Sequence, residues 1–217
     1  MNTEFLQRYF VAGSQNFPDL TLPECEGRIA LMMQSGITAY QFREKNPTLS
    51  TDEKQALAMR LRAKARELAV PFIVDDDVAL AIAIEADGIH VGQDDMPITD
   101  VVAQVAGQMI VGLSVRNKAE MVAAQSVMGI DYLGVGPVFA TTTKADAAEP
   151  LGLDGLVPTL NANTKRLPTV AIGGITLEDL PALHQSGVDG VAVISLLSEA
   201  SDVRMVIDEM KEQWGTL

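Results

Sequence analysis

The chain is poor in the residues that carry much enzyme chemistry. Its 217 residues include one cysteine and two histidines. Cys25 alone cannot close an internal disulfide, and just after Pro23 at a helix start it reads as structural. His90 lies inside an apolar run, where a satisfied core position and a general base are both open, whereas His184 falls near a helix end and reads as surface. No Ser–His or Cys–His pairing stands out, so nothing points to a protein nucleophile. Cations are scarce too: 16 Lys and Arg face 29 Asp and Glu, a net charge of -13. That balance argues against a sequence-independent grip on nucleic acid or on an anionic membrane, both of which need clustered Lys and Arg. No basic-then-apolar leader is recognisable, and no apolar run approaches the ~20 residues of a membrane span. The expectation is a soluble, cytoplasmic protein whose polyanion sites are local.

What is present is alternation. Strand-length apolar runs near residues 8–12, 38–43, 71–75, 88–91, 109–113, 131–135, 168–172 and 190–194 are separated by amphipathic stretches of helix length. Their Val, Ile and Ala content, with little polar interruption, fits strands buried on both faces. Thr21 with Glu24 and Ser50 with Glu53 form capping boxes, Thr176 with Asp179 a weaker one, and Asp100 and Ser201 are candidate caps of two more helices. Leu57, Leu61, Ala65 and Leu68 make one core stripe; Val203, Val206, Ile207 and Met210 make another. A faint repeat also appears, in which a helix end and short turn feed a strand, starting at Gly36, Glu85, Gly129 and Gly187 with spacings of 49, 44 and 58 residues. Each interval has room for two β/α units. Four copies therefore imply eight strands, and residues 1–217 read as a single domain, an α/β fold of the (β/α)8 TIM-barrel type. A doubly wound sheet gives no reason for four similar quarters.

In such a barrel the chemistry belongs at the carboxyl ends of the strands. Gln41, Arg43, Glu44 and Lys45 follow strand two, Asp75, Asp76 and Asp77 follow strand three, and Gln93, Asp94 and Asp95 follow strand four. Acids from two neighbouring loops are how a protein holds Mg2+ while leaving the other positions to a substrate phosphate. One of the three aspartates can cap the next helix, but three exceed what a cap requires. The Arg43-Glu44-Lys45 run is either a solvated charge run with an internal ion pair or, by strand alternation, an inward arginine needing an anionic partner. Ser114 suits hydrogen bonding to a ligand. Gly173-Gly174 and Ile194-Ser195, after strands seven and eight, suit a phosphate monoester held by backbone N–H groups. Two polyanion sites, one metal-assisted and one metal-free, suggest one substrate with a pyrophosphate and another with a monophosphate.

Tyr9-Phe10-Val11-Ala12-Gly13-Ser14, Gln41-Phe42-Arg43-Glu44-Lys45, Asp87 through Asp95, Thr141-Thr142-Thr143-Lys144, Gly173-Gly174 and Ile194-Ser195 occur in the order and register of the thiamine phosphate synthase family, which the chain resembles over nearly its whole length. The resemblance implies condensation of 4-amino-5-hydroxymethyl-2-methylpyrimidine pyrophosphate with 4-methyl-5-hydroxyethylthiazole phosphate, giving thiamine phosphate and pyrophosphate. It implies Mg2+ on Asp76 and Asp95. The strand-two segment Gln41, Phe42, Arg43, Glu44 and Lys45, with Asp75, Ser114 and Lys144, would serve the pyrimidine pyrophosphate; Arg43, Lys45 and Lys144 would act catalytically on it. Thr141, Thr142 and Thr143 would lie against the thiazole substrate, and Gly174, Ile194 and Ser195 would bind its phosphate. Asp75 departs from the asparagine common in the family, and Arg116 stands where histidine is frequent. Residues 141–150 are expected to order over bound substrate. The rivals are a thiazole tautomerase on the same barrel and a non-catalytic thiamine phosphate-binding barrel; a homo-oligomer is left open.

Overall fold

The structure, a computed structural model, describes residues 3–105, 107–141, 143 and 149–214. Eight strands form it: β1 (Arg8–Ala12), β2 (Ala39–Phe42), β3 (Phe72–Asp75), β4 (Gly88–Val91), β5 (Ile110–Val115), β6 (Tyr132–Val135), β7 (Thr169–Ile172) and β8 (Gly190–Val193). All pair in parallel, each with its neighbour in sequence, and β1 closes the sheet on β8. The expected barrel is therefore observed, with strand positions matching the apolar runs to within a residue or two. Around it lie α1 (Leu22–Ser35), α2 (Thr51–Glu67), α3 (Val78–Ala83), α4 (Ile98–Val105), α5 (Lys118–Ala124), α6 (Gly152–Asn161), α7 (Leu180–Ser186), α8 (Ser195–Ser198) and α9 (Val203–Trp214). No helix among the described residues is long and apolar enough to cross a membrane.

Strand alternation divides the core in two. Outward side chains such as Phe10, Tyr40, Phe42, Phe72 and Val74 pack beneath the helices, while Tyr9, Val11, Ala39, Ile73, Tyr132, Val170 and Ala192 fill the barrel interior above Leu6. The helix starts follow the capping chemistry. Ser50 Oγ accepts the Glu53 N–H and Glu53 accepts the Ser50 N–H, and Glu24 accepts the N–H of Thr21. Three details differ from expectation. Asp100 lies inside the first turn of α4, where its charge favours the helix amino end without capping it. Asp202, not Ser201, accepts the N–H groups of Arg204 and Met205 at the start of α9. Leu68 falls just past α2 and is partly exposed, because Ala69 at φ +54° turns the chain away from the helix axis.

The sequence repeat has a physical basis at the amino end of the barrel. Its first position is left-handed in every quarter: Gly36 at φ +109°, Glu85 at +53°, Gly129 at +95° and Gly187 at +89°. Its third position then places a side-chain oxygen under the neighbouring strand. Thr38, Asp87, Asp131 and Asp189 accept the backbone N–H of Arg8, Phe72, Val111 and Thr169, each at 2.8 Å. Each bond satisfies a backbone donor at the first or second residue of its strand.

Candidate active site

At the carboxyl end the strands open on a cavity of about 450 Å3. One side of it is charged. Alternation along β2 sends Arg43 inward, and its Nε lies 3.3 Å from Asp75 Oδ2, with both side chains largely buried. Lys45 approaches from the rim, its Nζ 2.5 Å from Asp76 Oδ2 and 3.7 Å from Asp75 Oδ2. Of the two readings of the Arg43-Glu44-Lys45 run, the inward arginine is the one observed. Asp75 thus sits between two cations, which explains how its buried carboxylate is tolerated.

The three acids after β3 divide their work. Asp77 caps α3, accepting the Leu80 N–H at 3.0 Å. Asp76 adopts φ +63°, a left-handed conformation costly for a non-glycine residue, and lines the cavity. Asp95 reaches it from the β4 loop, where the Gly92 N–H donates to its Oδ2 at 2.7 Å. The Asp76 and Asp95 carboxyls are within hydrogen-bonding reach of each other. Burial raises the Asp95 carboxyl, and the facing Asp76 raises it further; burial opposes ionisation of Asp76 too, but Asp95 and Lys45 outweigh it and hold Asp76 low. Two acids placed so that one disfavours ionisation of the other are relieved by a cation between them. Among the described residues no group of three or more potential metal-ligating side chains forms. A pair of hard oxygen donors beside open cavity fits Mg2+, which takes one or two carboxylates and fills its other positions with water and phosphate oxygen.

The opposite side is small and uncharged. Gly173 and Gly174 adopt φ +103° and +62° and line the cavity with Ile194 and Ser195. A Cβ on Gly174 would lie 2.3 Å from the Ala140 carbonyl oxygen, so the backbone surface here depends on glycine. Thr141 and Thr143 stand beside this corner, with 3.2 Å between their hydroxyls. Thr142 and Lys144, and most of the 141–150 loop expected to close, lie outside the described residues.

Three expected substrate contacts do not line the cavity. Phe42 faces outward into the helix layer. Glu44 is buried, and its carboxylate accepts the N–H and hydroxyl of Ser14 and the N–H of Asn46, clamping the β1 and β2 loops together. Gln41 lies a layer below the floor, its Nε2 donating to the Tyr9 hydroxyl at 3.0 Å. Conversely, Gln93, Asp94 and Arg116 do line the cavity, and Arg116 pairs with Asp94 at 3.0 Å and with Glu120 at 3.3 Å. The acid four residues after Arg116 was the available sign of that position. His90 is a buried, satisfied side chain, with Nδ1 2.9 Å from the Tyr132 hydroxyl and Nε2 3.0 Å from Ser114 Oγ. His184 is exposed.

A family model described as thiamine monophosphate synthase matches residues 8–197. A thiamine-phosphate synthase of Levilactobacillus brevis is 50% identical over 200 residues, covering 91% of this chain and 90% of the relative. One from Lactococcus lactis subsp. lactis is 46% identical over 209 residues, with 95% of both chains covered. Among solved structures, thiamine phosphate pyrophosphorylase from Pyrococcus furiosus superposes with a TM-score of 0.84 at 34% identity, covering 98% of this chain and 97% of the other. A 3-hexulose-6-phosphate synthase, 13% identical with a TM-score of 0.68, shares the barrel fold alone.

Proposed function

The chain belongs to the thiamine monophosphate synthase family, and from that premise we propose that its cavity performs the synthase reaction by Mg2+-assisted dissociative displacement. The enzyme joins the pyrophosphate of 4-amino-5-hydroxymethyl-2-methylpyrimidine to 4-methyl-5-hydroxyethylthiazole phosphate, releasing pyrophosphate and thiamine phosphate. The observation that carries the mechanism is the two-sided cavity. Cations and paired acids line one flank and a glycine corner lines the other, so two anionic substrates can lie in it at once.

On the charged flank, Arg43 and Lys45 hold the pyrophosphate and stabilise the negative charge that grows on it as the methylene C–O bond breaks; Lys144, outside the described residues, is assigned to the same task by the family resemblance alone. Asp76 and Asp95 would hold Mg2+, which would supply positive charge to the departing pyrophosphate. The aminopyrimidine spreads the developing positive charge into its ring, and no protein nucleophile is needed. On the other flank, Gly174, Ile194 and Ser195 hold the thiazole phosphate while Thr141 and Thr143 flank the ring. Anchoring that substrate by its phosphate brings the thiazole nitrogen within attack distance of the methylene. The Asp75 carboxylate, balanced by Arg43 and Lys45, offers an acceptor to the pyrimidine amine.

The test is product formation from the two purified substrates, with and without Mg2+, while released pyrophosphate is quantified. Equal yields of thiamine phosphate and pyrophosphate, abolished by chelation and restored by Mg2+, are expected. Binding of either substrate without turnover across a range of Mg2+ and pH would return the protein to the non-catalytic binding reading.

A further inference from the structure

Beneath the cavity floor a line of polar side chains crosses an otherwise apolar barrel interior. Gln41 Nε2 lies 3.0 Å from the Tyr9 hydroxyl, which lies 2.8 Å from the Tyr132 hydroxyl. Tyr132 lies 2.9 Å from His90 Nδ1, and His90 Nε2 lies 3.0 Å from Ser114 Oγ at the cavity surface. The barrel is shaped around this line. A Cβ on Gly112 would fall 2.3 Å from Tyr132 Cζ and 2.4 Å from His90 Nδ1, and one on Gly134 would fall 3.1 Å from His90 Cε1. Burial raises both tyrosine hydroxyls well above the ordinary phenol value, so both keep their protons.

A chain of this kind has a direction. Each hydroxyl has one proton to donate, and a buried donor left without an acceptor loses its hydration with nothing in return. With Gln41 as donor to the Tyr9 oxygen, the arrangement that leaves no hydroxyl without an acceptor has the Tyr9 O–H donating to Tyr132 and the Tyr132 O–H donating to His90 Nδ1. The ring proton of His90 is then on Nε2, where it faces Ser114.

We infer that Gln41, Tyr9, Tyr132 and His90 are positioning residues that load the Ser114 oxygen as an acceptor, so that the Ser114 hydroxyl is a dedicated donor to a ring nitrogen of the aminopyrimidine. Asp75 lines the same cavity and can only accept while it is ionised. A donor and an acceptor lining one cavity are the two groups that the ring nitrogen and adjacent amine of a pyrimidine edge require. Gln41 thereby acts on the pyrimidine from one layer below the cavity. The inference rests on the synthase reading for the identity of the ligand, but the direction of the chain does not.

Two measurements separate these parts. With two histidines in the chain, the imidazole nitrogen NMR spectrum of the unliganded protein can be assigned by comparison with His184→Gln. A proton on His90 Nε2 is expected; a proton on Nδ1, which makes Ser114 the donor to His90, overturns the inference and leaves the synthase activity untouched. The second measurement is a double-mutant cycle on the KM of the pyrimidine substrate. Tyr132→Phe should raise that KM about 3- to 10-fold, the scale of one hydrogen bond, with the KM of the thiazole phosphate unchanged. In a Ser114→Ala background the same substitution should have no further effect, because its influence passes through Ser114. Multiplicative losses in both backgrounds would make the chain a packing feature alone. Inorganic pyrophosphate, used as a competing ligand, locates the acceptor: Ser114→Ala should leave its affinity unchanged, and an equal loss would move the contact from ring nitrogen to phosphate.

Discussion

The two ends of this barrel are built on different principles. At the amino end, four quarters repeat one device: a left-handed residue followed two positions later by a side-chain oxygen that accepts a backbone N–H at the first or second residue of the preceding strand. At the carboxyl end no two quarters do the same thing. The β2 and β3 loops bring cations and acids together, the β4 loop adds Asp95, and the β7 and β8 loops contribute glycine and small side chains. The repeated end holds strands together, and its left-handed positions mostly fall on glycine, which adopts them freely. The unrepeated end keeps costlier features, among them Asp76 at φ +63° and two facing carboxyls. Stability and chemistry have been assigned to opposite faces, as the strand direction of a parallel barrel allows.

If that division holds, substitutions at the mouth should change turnover and those at the base should change melting. The largest effect is expected at Asp76. Asp76→Asn keeps a residue that tolerates the left-handed backbone but removes the charge, and should lower kcat by at least ~100-fold. The melting temperature should fall little, since the side chain is partly exposed and serves no strand. Near-normal turnover at saturating substrates would remove Asp76 from the metal site.

Gly174→Ala comes next. The added methyl meets the Ala140 carbonyl oxygen at 2.3 Å in a backbone conformation already unfavourable to alanine. The glycine corner must shift, and, with the thiazole phosphate bound there as proposed, its KM should rise roughly 10- to 100-fold, the scale of a misplaced anchor. The KM for the pyrimidine substrate, which the proposal places across the cavity, should move far less. Equal losses for both substrates would mean that the two flanks are not independent.

The base should behave in the opposite way. Asp131→Ala removes the acceptor of the Val111 N–H and should cost about 1–3 kcal/mol of stability. Well below the lowered melting temperature, kcat should match that of the unmodified protein. A large loss of turnover in folded protein would show the two ends to be coupled through the interior.

The base was more legible in the sequence than the mouth, for a physical reason. Strand burial, capping boxes and the four-part repeat are local patterns, and a local pattern fixes local structure. The mouth is assembled by loops distant in sequence, so Asp76 and Asp95 could be named while the mutual orientation of their neighbours could not. Glu44 shows the limit. Its place beside Arg43 and Lys45 suggested a ligand contact, but alternation turned it outward to Ser14 and Asn46. Arg116 shows the converse: it reaches the cavity, yet the sequence supplied only a helix-spaced acid as a hint. Gln41 was expected at the substrate and lies below the cavity floor, because the climb of register around a closed barrel cannot be read from one strand.

The smallest effect tests the base at its one irregular quarter. Glu85 occupies the left-handed position that Gly36, Gly129 and Gly187 fill elsewhere, at φ +53°. A side chain there costs about 1–2 kcal/mol relative to right-handed backbone, and glycine does not incur that cost. Glycine also loses more freedom on folding, by roughly 0.5–1 kcal/mol, so the net gain from Glu85→Gly should be only about 0.5–1 kcal/mol. The contact Arg62 makes here is to the Glu85 backbone carbonyl and survives the substitution. Denaturant unfolding should show a higher midpoint at unchanged slope, with turnover unaltered. A lower midpoint would mean that the glutamate side chain stabilises the turn in a way its backbone conformation conceals, and the four quarters would then be alike in geometry but not in energy.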